Sequence, residues 1–149
     1  MEKPLEKPEN INPELTKNFV SFIKEKSKSN KIVVICGGGT QINEALAKKG
    51  FKIKFDIHGR VINSKKEDKI VRKILEKERK DLQKEFNKNV AVLSPIISAG
   101  LIFCHINGDN LVKAFYLGFD EIFVFTLKNR MKNKKDFFKS YPKVKVIGI

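Results

Sequence analysis

Residues Lys31-Ile32-Val33-Val34-Ile35-Cys36 run without a break into Gly37-Gly38-Gly39, and that junction restricts the fold more than any other part of the chain. A short β-branched run closed by glycine reads as a buried strand feeding a tight turn. Thr40 then offers an N-cap for a helix that carries Ile42, Ala45 and Leu46 and stops at Gly50. Strand, turn and helix in that order open a crossover unit.

The remaining segments follow the same pattern. Leu15, Phe19, Phe22 and Ile23 fall at helical spacing between Pro13 and about Lys28, with Pro13 acceptable in a first turn. Phe51 to Phe55 reads as extended and leads into Asp56-Ile57-His58-Gly59-Arg60-Val61. A long helix from about Lys65 to Phe86 sets Ile70, Val71, Ile74, Leu75, Leu82 and Phe86 on one face and solvated charges opposite. Asn89 to Leu93 and Leu101 to His105 read as strands separated by residues 94–100. Asp109 is placed to cap a helix bearing Leu111, Val112, Phe115 and Tyr116 and ended by Gly118. Glu121 to Thr126 reads as a strand, followed by a basic helix near Asn133 to Lys139 and a strand from Val144 to Ile147. Strands alternating with helices predict parallel crossovers, and so a three-layer α/β/α sandwich with a mainly parallel sheet.

A chain of 149 residues is long enough for one core, and a single domain is expected over residues 13–149. Residues 1–12, with Glu2-Lys3-Pro4 echoed by Glu6-Lys7-Pro8, read as a flexible leader because proline suits neither a helix interior nor a central strand. No run of about 18 apolar residues occurs and the first residues lack a signal-peptide stretch, so a cytoplasmic protein without membrane contact is expected. Cys36 and Cys104 form no metal or redox spacing, and reduced thiols are expected. The net charge of +14, from 31 basic and 17 acidic residues, is compatible with a nucleic-acid binder. The lysines are nevertheless spread over the whole chain, densest from Lys128 to Lys139, without an aromatic stacking platform. Attraction of small anions or acidic partners is at least as natural, and nucleic acid is the weaker reading.

In α/β sheets ligands sit beyond the carboxyl ends of strands. Three polar groups fall there: Gly37, Gly38 and Gly39 with Thr40; Gly59 with Arg60; and His105 to Asp109. Three consecutive glycines let backbone N–H groups approach an anion at a helix N-terminus, or else form a mere tight turn. They match neither a Walker A loop nor the dinucleotide fingerprint, since no Gly-Lys-Ser/Thr follows and Ile42 stands where a last glycine belongs. Arg60 can clamp a carboxylate with two N–H groups or simply be solvated. Asn107-Gly108-Asp109 is either a turn with an N-cap or a polar strand-end site with His105 and Asn107 facing a ligand. His58 and His105 lack a third partner, so no metal is expected.

The order Ile32 to Leu46, with Gly37-Gly38-Gly39, then Gly59-Arg60-Val61, Leu93-Ser94-Pro95-Ile96, Ile106-Asn107-Gly108-Asp109 and Glu121 to Thr126, resembles the amino acid kinase family, most of all its acetylglutamate kinases. The resemblance covers about residues 13–126. It implies ATP-dependent phosphoryl transfer, with magnesium, to the carboxylate of a small acyl amino acid. Gly37 and Gly38 would face the transferred group, with Gly39 completing the turn, Arg60 would hold the substrate carboxylate, His105 and Asn107 would contact substrate, and Asp109 would organise catalytic lysines. Three features depart from the family: a lysine-bearing first strand and a nucleotide-binding lobe are missing, so no nucleotide-binding residue is assigned, and Leu127, Lys128, Asn129 and Arg130 stand where the family has Asp and then a glycine. Lys128 or the basic segment after it is the candidate substitute cation. A homodimer or a complementing kinase subunit is the implied partner, and a non-catalytic small-anion sensor is the alternative to an enzyme.

Overall fold

The computed structural model describes residues 13–149, with side chains from residue 17 onward. The leader over residues 1–12 lies outside the described residues, as does the side chain of Leu15 in the apolar stripe. The elements in chain order are α1 (Pro13–Lys26), β1 (Ile32–Ile35), α2 (Gly39–Lys48), β2 (Phe55–Asp56), β3 (Gly59–Arg60), α3 (Lys65–Gln83), β4 (Val90–Leu93), β5 (Ile96–Ala99) and β6 (Ile102–His105). They continue with α4 (Gly108–Phe115), β7 (Ile122–Thr126), α5 (Met131–Phe137) and β8 (Val144–Gly148), with single 3-10 turns at Tyr116–Gly118 and Lys128–Arg130.

The architecture is mixed α/β. β1 and β4 pair in parallel, Ile32 opposite Val90 and Ile35 opposite Leu93, and β7 and β8 pair in parallel, Ile122 opposite Val144. β2 with β3 and β5 with β6 are antiparallel hairpins. Among the described residues the hydrogen-bonded sheets are therefore two-stranded. In β4, Val90 and Val92 are buried while Ala91 is exposed, the alternation of a strand covered on one face rather than both.

Residues 94–100 correct the expectation of a loop. Ile96–Ala99 folds back on Ile102–His105 through Gly100-Leu101, with Gly100 at φ 60 and no non-glycine residue at positive φ among those described. A positive φ at the first of two central residues is the type II′ hairpin signature. Residues 94–100, read only as separating two strands, thus hold a strand of their own, and Gly100 turns the hairpin. The extended reading of Phe51–Phe55 is likewise shortened to β2, whose turn is fixed by the Asp56 carboxylate accepting the His58 N–H at 2.7 Å.

Two apolar clusters hold these pieces together. Ile42 and Leu46 of α2 meet Val71, Ile74 and Leu75 of α3. Ile23 of α1 meets Val34, Val90 and Val92, with Phe19, Phe22, Leu82 and Phe86 around them. α1 also reaches β7, where Phe19 and Phe125 stack edge to face at 4.8 Å and Phe22 meets Phe123 at 5.3 Å. The last residue of α3 fixes its angle to β4: the Gln83 side-chain amide donates to the Val90 carbonyl and accepts from the Val92 N–H, each at 2.9 Å. That amide acts as a partner for an otherwise open strand edge. Among the described residues no helix is long and apolar enough to cross a membrane.

Candidate functional site

The glycine turn ends β1 and opens α2. Gly38, not Thr40, occupies the N-cap position, and no side chain caps the helix; Thr40 lies inside the first turn. Three glycines let the chain enter the helix without a capping side chain, which leaves the first-turn N–H groups and the positive end of the helix dipole open to an external anion. Gly38 is buried against Ile74, Leu75 and Glu78 of α3, whereas Gly37 and Gly39 are exposed.

Arg60 reaches this turn from the β2–β3 hairpin. Its Nη2 donates to the Gly39 carbonyl at 3.2 Å. The guanidinium lies 4.8 Å from the ring centroid of Phe55, its cross-strand neighbour, a stacking that holds the planar head in place. Nη1 is buried and has no partner among the described residues. Burial lowers the Arg60 pKa from its ordinary value, but a guanidinium keeps its charge in proteins. The result is a cation with one hydrogen-bonded nitrogen and one unused donor beside an uncapped helix.

The next residue back brings in the third group. Gly59 has φ 117, and a Cβ there would stand 3.0 Å from Asn107 Cβ and 3.2 Å from Asn107 Nδ2. Only glycine admits that approach. Asn107, rather than Asp109, is the N-cap of α4: its Oδ1 accepts from the Asp109 N–H at 2.9 Å and the Asn110 N–H at 3.4 Å. Asp109 sits in the first turn and pairs with Lys134 of α5. The cation beside Asp109 is thus Lys134, from the basic segment, and not Lys128.

His105 turns elsewhere. Its Nε2 meets Asp68 of α3 at 2.5 Å, and Arg72 forms an ion pair with the same carboxylate at 2.9 Å while lying 4.4 Å from the centroid of Phe103. Burial pushes the Asp68 carboxyl up, but the contacts with His105 and Arg72 outweigh it and hold the pKa below the ordinary 3.8. This trio ties the end of β6 to α3. The structure therefore joins Gly39, Arg60, Gly59 and Asn107 directly, and gives His105 and Asp109 separate partners.

Cys36, just past the end of β1, holds little thiolate at neutral pH. Burial, helped by the negative charge of Glu78, pushes its thiol from 9.0 up to about 11. Among the described residues no three His, Cys, Asp or Glu side chains converge on a metal position. Sequence reasoning missed Phe55, Asp68, Arg72 and Lys134. The readable signal for Phe55 was Asp56 followed three residues on by Gly59, a turn pattern that places Phe55 opposite Arg60. Asp68 and Arg72 stand four apart on α3 and pair with each other, a spacing readable in the sequence, while their contacts to His105 and Phe103, and that of Lys134 to Asp109, span long stretches of chain and left no local sign. No protein family, curated protein or solved structure matches the chain at a significant level.

Proposed function

We propose that the protein binds a small carboxylate or phosphate anion between the Gly37–Gly39 turn and Arg60. The observation that carries this reading is the buried Arg60 Nη1 without a partner beside the uncapped N-terminus of α2. A buried, unmatched donor on a charged group is costly, and an anionic oxygen satisfies both it and the free amides. Asn107, held 3.0 Å from the Gly59 Cβ position, is close enough to lend its side-chain amide. In this reading the protein is a sensor or carrier of a small acidic ligand.

A second reading is favoured by one further contact, the Asp109–Lys134 pair. It matches the role that the resemblance to acetylglutamate kinases assigns to Asp109, organising a lysine. On that reading the domain is a reduced, three-layer amino acid kinase-like fold. A carboxylate oxygen of an acyl amino acid attacks the γ-phosphorus of ATP, the bond to the bridging oxygen breaks, and an acyl phosphate and ADP leave. The chain's own part is positioning: Arg60 holds the carboxylate and Lys134 meets developing phosphoryl charge. Magnesium arrives with the nucleotide, since the described residues offer it no ligand cluster. A complementing kinase subunit supplies the nucleotide lobe, and a homodimer is the other implied assembly.

Calorimetric titration with N-acetylglutamate, related small acids, inorganic phosphate and ATP–magnesium tests both. Binding of an acid or phosphate that Arg60→Met lowers at least tenfold supports the anion site, and binding unchanged in Arg60→Met sinks it. Release of ADP that needs both the acid and Lys134 supports the kinase reading; binding without turnover leaves the sensor.

A further inference from the structure

We propose a second anion site, separate from Arg60, that takes a free oligophosphate such as tripolyphosphate or a nucleoside triphosphate tail. It is a surface hollow of about 470 Å³ where α3 meets the end of α2, walled by Lys49, Lys66, Lys69 and Lys73 over an apolar floor of Phe51 and Ile70. Small-ligand sites fall in this size range.

The charge pattern of α3 singles the hollow out. Lys66, Lys69 and Lys73 stand at helical spacing on one stripe, and the neighbours of Lys69 three and four positions away are Lys65, Lys66, Arg72 and Lys73, all cationic. Like charges at those spacings disfavour a helix. Further along the same helix the pattern reverses: Glu76 accepts two bonds from Arg79 at 2.8 and 2.7 Å, and Lys84 pairs with Asp81 at 3.0 Å. Asp68 is taken by His105 and Arg72, and Glu67 is buried in the cap of α3, where its carboxylate meets Ser64 and the Asn63 N–H. Among the described residues, Lys49, Lys66, Lys69 and Lys73 carry no ion pair. Three lysines of α3 and Lys49, just past the end of α2, thus line one hollow without an ion pair among the described residues, and lysine is a point-charge binder of phosphate. The cations form a compact cluster rather than a track, and Phe51 is the only aromatic residue in the wall. A short run of linked phosphates fits this arrangement better than a nucleic-acid strand, which needs an extended basic path and stacking surfaces.

The test is calorimetric titration with sodium tripolyphosphate, free of metal, in 0.15 M salt. The triple variant Lys66→Gln, Lys69→Gln, Lys73→Gln is compared with a charge-matched triple on the same helix, Lys77→Gln, Lys80→Gln, Lys84→Gln. The first triple is expected to weaken binding at least tenfold and to leave the melting temperature of the unliganded protein unchanged or higher, because repulsion is relieved. The second triple is expected to stay within twofold of the parent. Equal losses in both triples, absence of binding by the parent, or binding only to an oligonucleotide or to phosphatidylserine vesicles would each overturn the proposal. Loss of tripolyphosphate binding in Arg60→Met alone would assign it to the first site and overturn the second.

Discussion

Replacing Gly59 by alanine tests how tightly the site is assembled. Two separate penalties apply. At φ 117 an L-residue is held in a region essentially reserved for glycine, at about 1–3 kcal/mol. The new methyl would also stand 3.0 Å from Asn107 Cβ, so Asn107 must shift, and an N-cap that loses its bonds is worth about 1 kcal/mol. Together the change should destabilise the protein by about 2–4 kcal/mol, and for a domain of this size lower Tm by about 4–16 °C. Urea denaturation followed by circular dichroism reads the difference. The control is Gly37→Ala, because nothing lies within 4 Å of a Cβ at that position; it should stay within about 0.5 kcal/mol of the parent. Repeating Gly59→Ala in an Asn107→Gly background separates the terms, since the contact vanishes and the backbone strain remains. The penalty should then shrink by about 1 kcal/mol. If Gly59→Ala proves no more costly than Gly37→Ala, the joining of Arg60 and Asn107 through Gly59 is refuted.

Three further outcomes follow from the packing and the titrating groups. Leu46→Ala should cost about 2–5 kcal/mol in the same assay, because Leu46 is 1% exposed at the centre of the α2–α3 cluster. Asp68, with its folded pKa held below 3.8 by His105 and Arg72, contributes stability that is present above the unfolded value and lost as the pH falls from about 3.8 through the lower folded value; Asp68→Asn should flatten the stability profile in that acid range. A thiol reagent at pH 8 should label the exposed Cys104 rapidly and Cys36 slowly, since the Cys36 pKa of about 11 leaves little thiolate. Comparable rates would contradict the burial of Cys36.

The readable parts of the sequence were those where one local pattern decides. The Ile32–Ile35 strand, the glycine turn and the stripe through Val71, Ile74 and Leu75 all form where the spacing put them. The β5 strand was not legible, because Ile96-Ile97-Ser98-Ala99 alternates weakly and pairs only by virtue of the turn at Gly100. The cap of α4 was misplaced by two residues: Asn107 and Asp109 are both good caps, and only the geometry shows which carbonyl oxygen reaches the free amides. Arg60 and the glycines were legible as anion-binding types. The Asp68 anchor of His105 and the Lys134 partner of Asp109 depend on how separate helices pack, which no local window contains.

The β5–β6 hairpin carries no charged residue from Ile96 to Cys104, and Leu101 and Ile102 at its turn are 95% and 73% exposed. Such strands invite edge-to-edge pairing between copies, and a net charge of +14 opposes it in dilute buffer. That protection has a finite reach: the screening length is about 8 Å at 0.15 M salt and about 3 Å at 1 M, while paired strands sit about 4.8 Å from one another. Concentrated salt should drive self-association, visible by light scattering.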